Sequence, residues 1–201
     1  MAPPSQPGDL IPVTILTGFL GSGKTTLLNK LLSHPDTEET AVLINEFGEV
    51  GLDHLLVREV SETIVLLKSG CLCCSVRGEM IDALRDLFLK RVRGEVPEFK
   101  RVVIETTGLA DPAPVIHTLM TDPLLGARYR LDGITTTLDA LNAGRQLNTY
   151  PESVKQAALA DRIVLTKTDL AGAAETGALL ARIKRLNPTA RTVCAVNGVI
   201  D

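Results

Sequence analysis

The chain of 201 residues has no tryptophan, two tyrosines and four phenylalanines, so aromatic side chains make up only 3% of it. Aliphatic residues must fill its core, and a hydrophobic share of 45% supplies enough of them for one globular domain. A basic excess is also missing. The 21 Lys and Arg stand against 24 Asp and Glu, a net charge of −3, which argues against nucleic acid as a partner because phosphate backbones select basic surfaces. No apolar run is long enough to span a bilayer, so no membrane association is expected. The opening MAPPSQPGDL lacks the basic-then-apolar order of a secretory signal and reads as a flexible Pro-rich lead-in over residues 1–10, ahead of a domain covering 11–201. The default compartment is then cytoplasmic. There the four cysteines stay reduced and favour metal or thiol chemistry over disulfides.

Short β-branched apolar runs alternate with helix-like stretches along the chain. The runs are Pro12–Thr17, Thr40–Ile44, Thr63–Lys68, Arg101–Glu105, Gly133–Leu138, Arg162–Thr166 and Thr192–Val196. Such runs suit strands buried on both faces of a parallel sheet with crossover helices. Helices are expected over Thr25–Leu32, Arg77–Val92, Pro112–Met120, Glu152–Leu159 and Gly172–Leu186, with surface connections over Val92–Lys100 and Thr121–Asp132. The fold class expected is α/β: a three-layer domain whose mostly parallel central sheet is flanked by helices. The last strand-like run ends close to Asp201, which suggests an excised domain.

Residues Gly18 to Thr25 read G-F-L-G-S-G-K-T, a full match to the phosphate-binding loop G-x-x-x-x-G-K-[ST], placed between a strand-like run and a helix-like one. Glycines let successive backbone N–H groups converge on phosphate oxygens, with the positive end of the next helix behind them. The nucleotide-binding candidates are Gly18, Gly21, Ser22, Gly23, Lys24, Thr25 and Thr26. Lys24 is expected to span the β- and γ-phosphates and the Thr25 hydroxyl to ligate Mg²⁺.

Two further segments fall at the carboxyl ends of expected strands, where open α/β sheets place their ligands. Arg101-Val-Val-Ile-Glu105 ends in a carboxylate that can hold Mg²⁺ or orient an attacking water, and Gly108 three residues on can bring a backbone N–H to the γ-phosphate. A surface Glu at a strand end is the plainer alternative. Thr166-Lys167-Thr168-Asp169 closes another run. Asp169 can accept two hydrogen bonds from guanine N1–H and its N2 amine, and the Lys167 stem can stack on the base. As an isolated tetrapeptide it could equally be a helix N-cap.

Cys71-Leu72-Cys73-Cys74 follows the run Thr63–Lys68. Three thiols within four residues can reach one soft cation, and the helix N-terminus nearby favours thiolate. Structural zinc takes four protein ligands, so three sulfurs suit an exchangeable metal. The remaining position is open to Glu46, Glu49, His54, water or a partner's side chain, with a redox thiol pair or plain buried cysteines as the alternatives. Cys194, alone in an expected strand, reads as core.

These residues resemble the CobW-type P-loop GTPases, relatives of the hydrogenase and urease nickel-insertion GTPases. The resemblance runs through GFLGSGKTTLLNKLL, INEFGEVGLD, CLCC, ETTGLADPAP and TKTD in order. It implies a GTP-hydrolysing metallochaperone or metalloenzyme activator that cycles between GTP and GDP with Mg²⁺ and delivers zinc, or in other branches cobalt (Co²⁺) or iron, to a client metalloprotein. It also implies that Cys71, Cys73 and Cys74 hold the metal and that Asn45–Asp53 is a switch segment; Glu46, one of the candidates for the remaining position, is the expected further ligand. Lys24, Glu105 and Gly108 are then the catalytic set, with Thr25 and Glu105 on Mg²⁺ and Thr166, Lys167 and Asp169 on the base. A GTP- or metal-dependent homodimer is left open. The sequence departs from the family in three ways: Thr166 stands where members usually have Asn, Thr135–Thr137 polarise a usually aliphatic segment, and nothing corresponds to the C-terminal domain that members commonly carry. The competing readings are an ATP-dependent P-loop kinase or cobalamin-pathway enzyme, and a non-catalytic zinc-binding or redox module.

Overall fold

The structure, a computed structural model, describes residues 10–37, 39–44 and 76–200. In chain order the elements are β1 (Ile11–Gly18), α1 (Lys24–Leu32), β2 (Thr40–Ile44), α2 (Val76–Val92), β3 (Arg101–Glu105), α3 (Ala113–Thr121) and α4 (Pro123–Gly126). They continue with β4 (Tyr129–Asp139), α5 (Ala143–Thr149), α6 (Pro151–Ala158), β5 (Arg162–Thr166), α7 (Ala173–Leu186), β6 (Arg191–Val196) and β7 (Val199–Ile200). The expected strand Thr63–Lys68 lies outside the described residues.

The strands form one sheet in the order β2-β3-β1-β4-β5-β6-β7, parallel throughout except for β7, which runs antiparallel to β6. Because side chains alternate across a strand, β1 turns Ile11, Val13 and Ile15 to one face and Leu16 to the other. The first face packs Ile15, Ile104, Leu43 and Ile134 against α2, α3 and α4 through Leu84, Leu87, Leu119 and Leu125. Toward β5 this layer continues as Leu138, Ile163 and Leu165 under α5, α6 and α7. On the opposite face α1 sets Leu27, Leu28 and Leu32 on Leu16, Val42, Val164 and Ala195. The result is the expected three-layer α/β arrangement.

The segment Thr121–Asp132 differs from the expected surface connection. Asp122 accepts hydrogen bonds from the N–H groups of Leu124 and Leu125, at 2.9 and 3.1 Å, and Pro123 starts the short α4 where its missing donor costs nothing. β4 then begins at Tyr129, whose ring is buried and whose hydroxyl donates to the Leu84 carbonyl at 2.9 Å. Helix α5 escaped the sequence reading because Gly144 and a run of polar residues hide its periodicity.

The joint between α6, α7 and β6 is closed by one amide. Asn187 Nδ2 donates to the carbonyls of Ala157, Ala158 and Ala160 at 3.0, 3.1 and 2.8 Å, while Oδ1 accepts from Ala190 N–H at 3.1 Å. Replacing Asn187 with Ala leaves these buried groups unsatisfied. The expected loss is about 2–3 kcal/mol, read from the urea-unfolding midpoint.

Candidate nucleotide site

All the sequence-identified groups on described residues lie at the carboxyl ends of β1, β3 and β5, beside that of β4. β1 sits between β3 and β4, so the chain steps to one side of it and then to the other, a topological switch point where doubly wound sheets open a crevice. Gly18 ends β1 with φ 143° against the backbone of β4. A Cβ there would lie 2.3 Å from Thr137 Oγ1 and 2.7 Å from Ser22 Oγ, so no side chain fits. Gly21 and Gly23 follow with φ 71° and 88°, the left-handed values glycine adopts without strain, and α1 starts at Lys24. The loop therefore presents backbone amides at a helix N-terminus. It is an anion cradle before any side chain is counted.

Lys24 Nζ donates to the carbonyls of Gly18 and Phe19 at 3.0 and 3.4 Å, which keeps the ammonium inside the curl of the loop. Thr25 Oγ1 donates to Glu105 Oε1 at 3.0 Å, uniting the first turn of α1 with the end of β3. A hydroxyl and a buried carboxylate so placed are hard oxygen donors of the kind Mg²⁺ selects, and the cradle suits a triphosphate. Thr26, one residue further into α1, is exposed. Beyond Glu105, Gly108 lies in a turn closed by Ala110 N–H to Thr107 C=O at 3.1 Å. A Cβ on Gly108 would meet the Leu20 backbone nitrogen at 2.6 Å, so this turn touches the phosphate loop directly.

The Thr166–Asp169 segment is tied to the same loop. Thr166 Oγ1 approaches the carbonyls of Ser22 at 2.8 Å and Leu138 at 3.2 Å, so the hydroxyl that stands in for the usual Asn bridges to the phosphate loop. Lys167 has a φ of 57°, uncommon for a residue with a side chain, and its ammonium donates to Gly21 C=O at 2.9 Å and to Asp139 Oδ2 at 2.8 Å. Asp169 is exposed in the turn that Leu170 N–H closes on Lys167 C=O.

Asp139 and Gln156 are residues the sequence reading missed. Asp139, buried at the end of β4, also accepts from Leu141 N–H and Asn142 Nδ2, both at 2.9 Å. Burial raises the cost of its charge, but the hydrogen bonds from Lys167, Asn142 and Leu141 and the Lys167 charge outweigh it and hold the carboxyl below its ordinary value. The one available signal was an acid closing a β-branched run, the same signal that marked Glu105. Cys71, Cys73, Cys74 and Glu46, like Asn45–Asp53, lie outside the described residues. Cys194 is half-buried and packs against the core under α7, as expected.

A glycine cradle at a strand-to-helix turn, a hydroxyl–carboxylate pair beside it and a second strand-end loop bonded to it define a P-loop nucleotide-binding domain. Within that class the chain belongs to the CobW/HypB/UreG family, whose nucleotide-binding domain matches residues 12–194. It is 45% identical over 191 residues to the zinc chaperone YjiA of Escherichia coli, covering 95% of this chain and 59% of that protein. Identity is 36% over 200 residues with the zinc-regulated GTPase metalloprotein activator 1 of Schizosaccharomyces pombe, covering 96% and 47%. Among solved structures, Zn(II)-bound YjiA GTPase from E. coli superposes with a TM-score of 0.70 at 35% identity, over 93% of this chain and 57% of that one. The chain thus spans about half to three fifths of the length of these relatives.

Asp139 generates a pH-dependent prediction. Its folded-state pKa is depressed, so it contributes stability that is present above the unfolded carboxylate value of about 3.9 and is lost as pH falls through the lower folded value. Asp139→Asn is expected to be destabilised relative to wild type near pH ~6, with the gap shrinking as the pH drops below about 3.9. Urea midpoints across that range provide the check.

Proposed function

We propose that this chain is the nucleotide-hydrolysing domain of a GTP-dependent metallochaperone or metalloenzyme activator that binds zinc and passes it to a client metalloprotein in the cytoplasm. One observation carries the reading. The Thr166–Asp169 loop is bonded to the phosphate loop through Thr166 on Ser22 and Lys167 on Gly21, so a base held at Asp169 and phosphates held at Gly18–Thr25 belong to one rigid unit. The zinc chaperone and zinc-regulated GTPase relatives support the cargo. Among the described residues no helix is long and apolar enough to cross a membrane.

In this reading the loop amides and Lys24 stabilise charge that develops on the phosphate oxygens, and Gly108 brings its turn to the γ-phosphate. Thr25 and Glu105 would hold Mg²⁺, which when bound neutralises charge shared by the β- and γ-phosphates. A water oxygen attacks the γ-phosphorus, the bond to the bridging oxygen breaks, and GDP and phosphate leave. Slow turnover would suit a switch better than a metabolic catalyst. Cys71, Cys73 and Cys74 with Glu46 are the proposed zinc ligands. A second copy of the chain, or the client, is the proposed source of any missing catalytic group.

Competition binding tests the base assignment. Guanine nucleotides are expected to outcompete adenine nucleotides, and Asp169→Ala is expected to weaken GTP binding by about 1.5–3 kcal/mol while leaving ATP binding nearly unchanged. Lys24→Ala is expected to abolish tight triphosphate binding, whereas Glu105→Gln binds GTP and loses on the order of 10²-fold in turnover. Equal affinity for ATP, or wild-type hydrolysis by Glu105→Gln, would overturn the respective assignment.

Metal coupling is tested with Co²⁺ as a coloured substitute for zinc. The thiolate charge-transfer band is expected to weaken in Cys73→Ser, and Co²⁺ affinity is expected to differ between GDP and a non-hydrolysable GTP analogue. By linkage the metal must shift GTP affinity by the same factor. Identical affinities in both nucleotide states would separate metal from switch.

A further inference from the structure

Helix α6 and the tyrosine that precedes it touch both the phosphate loop and the Gly108 turn, and no chemistry described so far uses them. Its first turn is set by Pro151 at the position where a missing N–H is harmless and by Glu152 at the positive end of the helix. Just before it, the Tyr150 ring lies on the Phe19 ring of the phosphate loop, with centroids 4.6 Å apart. Further along, Gln156 is completely buried. Its Nε2 lies 3.2 Å from the Gly108 carbonyl and 3.0 Å from the Ala110 carbonyl. Carbonyl oxygens only accept, so the amide nitrogen, not its oxygen, must face them, and both of its hydrogens are used. Behind it, Thr136 Oγ1 of β4 donates to the Gln156 backbone carbonyl at 2.8 Å. Gln156 is therefore tied to the sheet through its backbone carbonyl and to the Gly108 turn through its side-chain amide.

We propose that Gln156 is a positioning residue for hydrolysis, holding the Thr107–Ala110 turn by its two carbonyls so that Gly108 stays pressed against Leu20 of the phosphate loop. The proposal rests on the reading of Gly108 as the contact to the γ-phosphate. Two details separate it from ordinary core packing. The turn has no slack, because Gly108 approaches the Leu20 nitrogen more closely than any Cβ would permit. And Gln156 Oε1, although buried, makes no hydrogen bond among the described residues, so the side chain is placed for its donors alone. Burying an acceptor without a partner costs free energy, and a purely packed position would be filled more stably by Leu or Met.

The test uses the full chain with Gln156→Met, which keeps an unbranched side chain of similar length and removes both donors. The first measurement is amide hydrogen exchange in the nucleotide-free protein. Faster exchange confined to residues 106–111 is expected. Exchange unchanged there, or raised evenly across the sheet, overturns the proposal. The second is steady-state GTP hydrolysis together with binding of GDP and of a non-hydrolysable GTP analogue. The expected result is a fall in kcat of about tenfold or more, with KM, GDP affinity and analogue affinity each within about twofold of wild type. A merely structural residue would lower the affinity for both nucleotides together, or leave kcat per folded molecule unchanged, and either outcome rejects the assignment. If the wild-type chain fails to hydrolyse GTP, the underlying reading falls and the catalytic role of Gln156 with it, while the exchange measurement still shows whether the turn is held.

Discussion

The site depends on parallel strands, six among the described residues, running in the same direction with fixed register. Parallel pairing sets Leu16 opposite Glu105, Gly18 opposite Thr137 and Asp139 opposite Thr166, so every strand delivers its last residues to the same edge. A one-residue slip in any pair would turn the delivered side chains to the other face of the sheet. Long-range chemistry becomes local in this way: Ser22 and Thr166, 144 positions apart in sequence, share a hydrogen bond. The cores on both faces of the sheet exist to hold that register.

At the functional edge the packing is polar. Thr17, Ser22, Thr106, Thr136, Thr137 and Thr166 are all buried, and each makes a hydrogen bond that joins two chain segments. Thr106 reaches Thr17 at 2.8 Å, joining β3 to β1, and Ser22 reaches Thr137 at 2.7 Å, joining the phosphate loop to β4. A buried hydroxyl left without a partner costs about 1–3 kcal/mol, so each bond penalises displacement of the loop it holds. Two of the departures from the family pattern acquire a reason here. Thr136 and Thr137 polarise β4 where it meets α6 and the phosphate loop, and Thr166 donates to the Ser22 carbonyl, which ties the Thr166–Asp169 loop to the cradle.

Strand runs, the phosphate loop and the Thr166–Asp169 turn at the end of β5 were legible because each is written in contiguous residues with a recognisable local chemistry. β-branched runs bounded by turns gave β2, β3 and β5 at their observed limits, and Gly-x-Gly-Lys-Thr placed the start of α1 one residue late, at Thr25 instead of Lys24. The segment Thr121–Asp132 was misread because its charges and proline outweighed Tyr129 and Leu125, which are buried in a core cluster with residues far away in sequence such as Leu84 and Ile15. Asp139 and Gln156 were invisible for the same reason. Nothing beside Gln156 in sequence distinguishes it from a surface glutamine, and its meaning comes from carbonyls 46 and 48 positions away.

The hydroxyl pair between Ser22 and Thr137 can be polarised in either direction, because either oxygen can be the donor. When Thr137 sends its proton to the Thr17 carbonyl, 3.3 Å away, Ser22 must donate to Thr137. When Thr137 turns its proton toward Ser22, the serine proton is released to any acceptor that comes within reach. The two arrangements share the same heavy-atom positions and differ by rotation about two C–O bonds. The cradle thus has a rotor that can re-address the Ser22 hydroxyl as the charge in front of it changes, without the backbone moving at all.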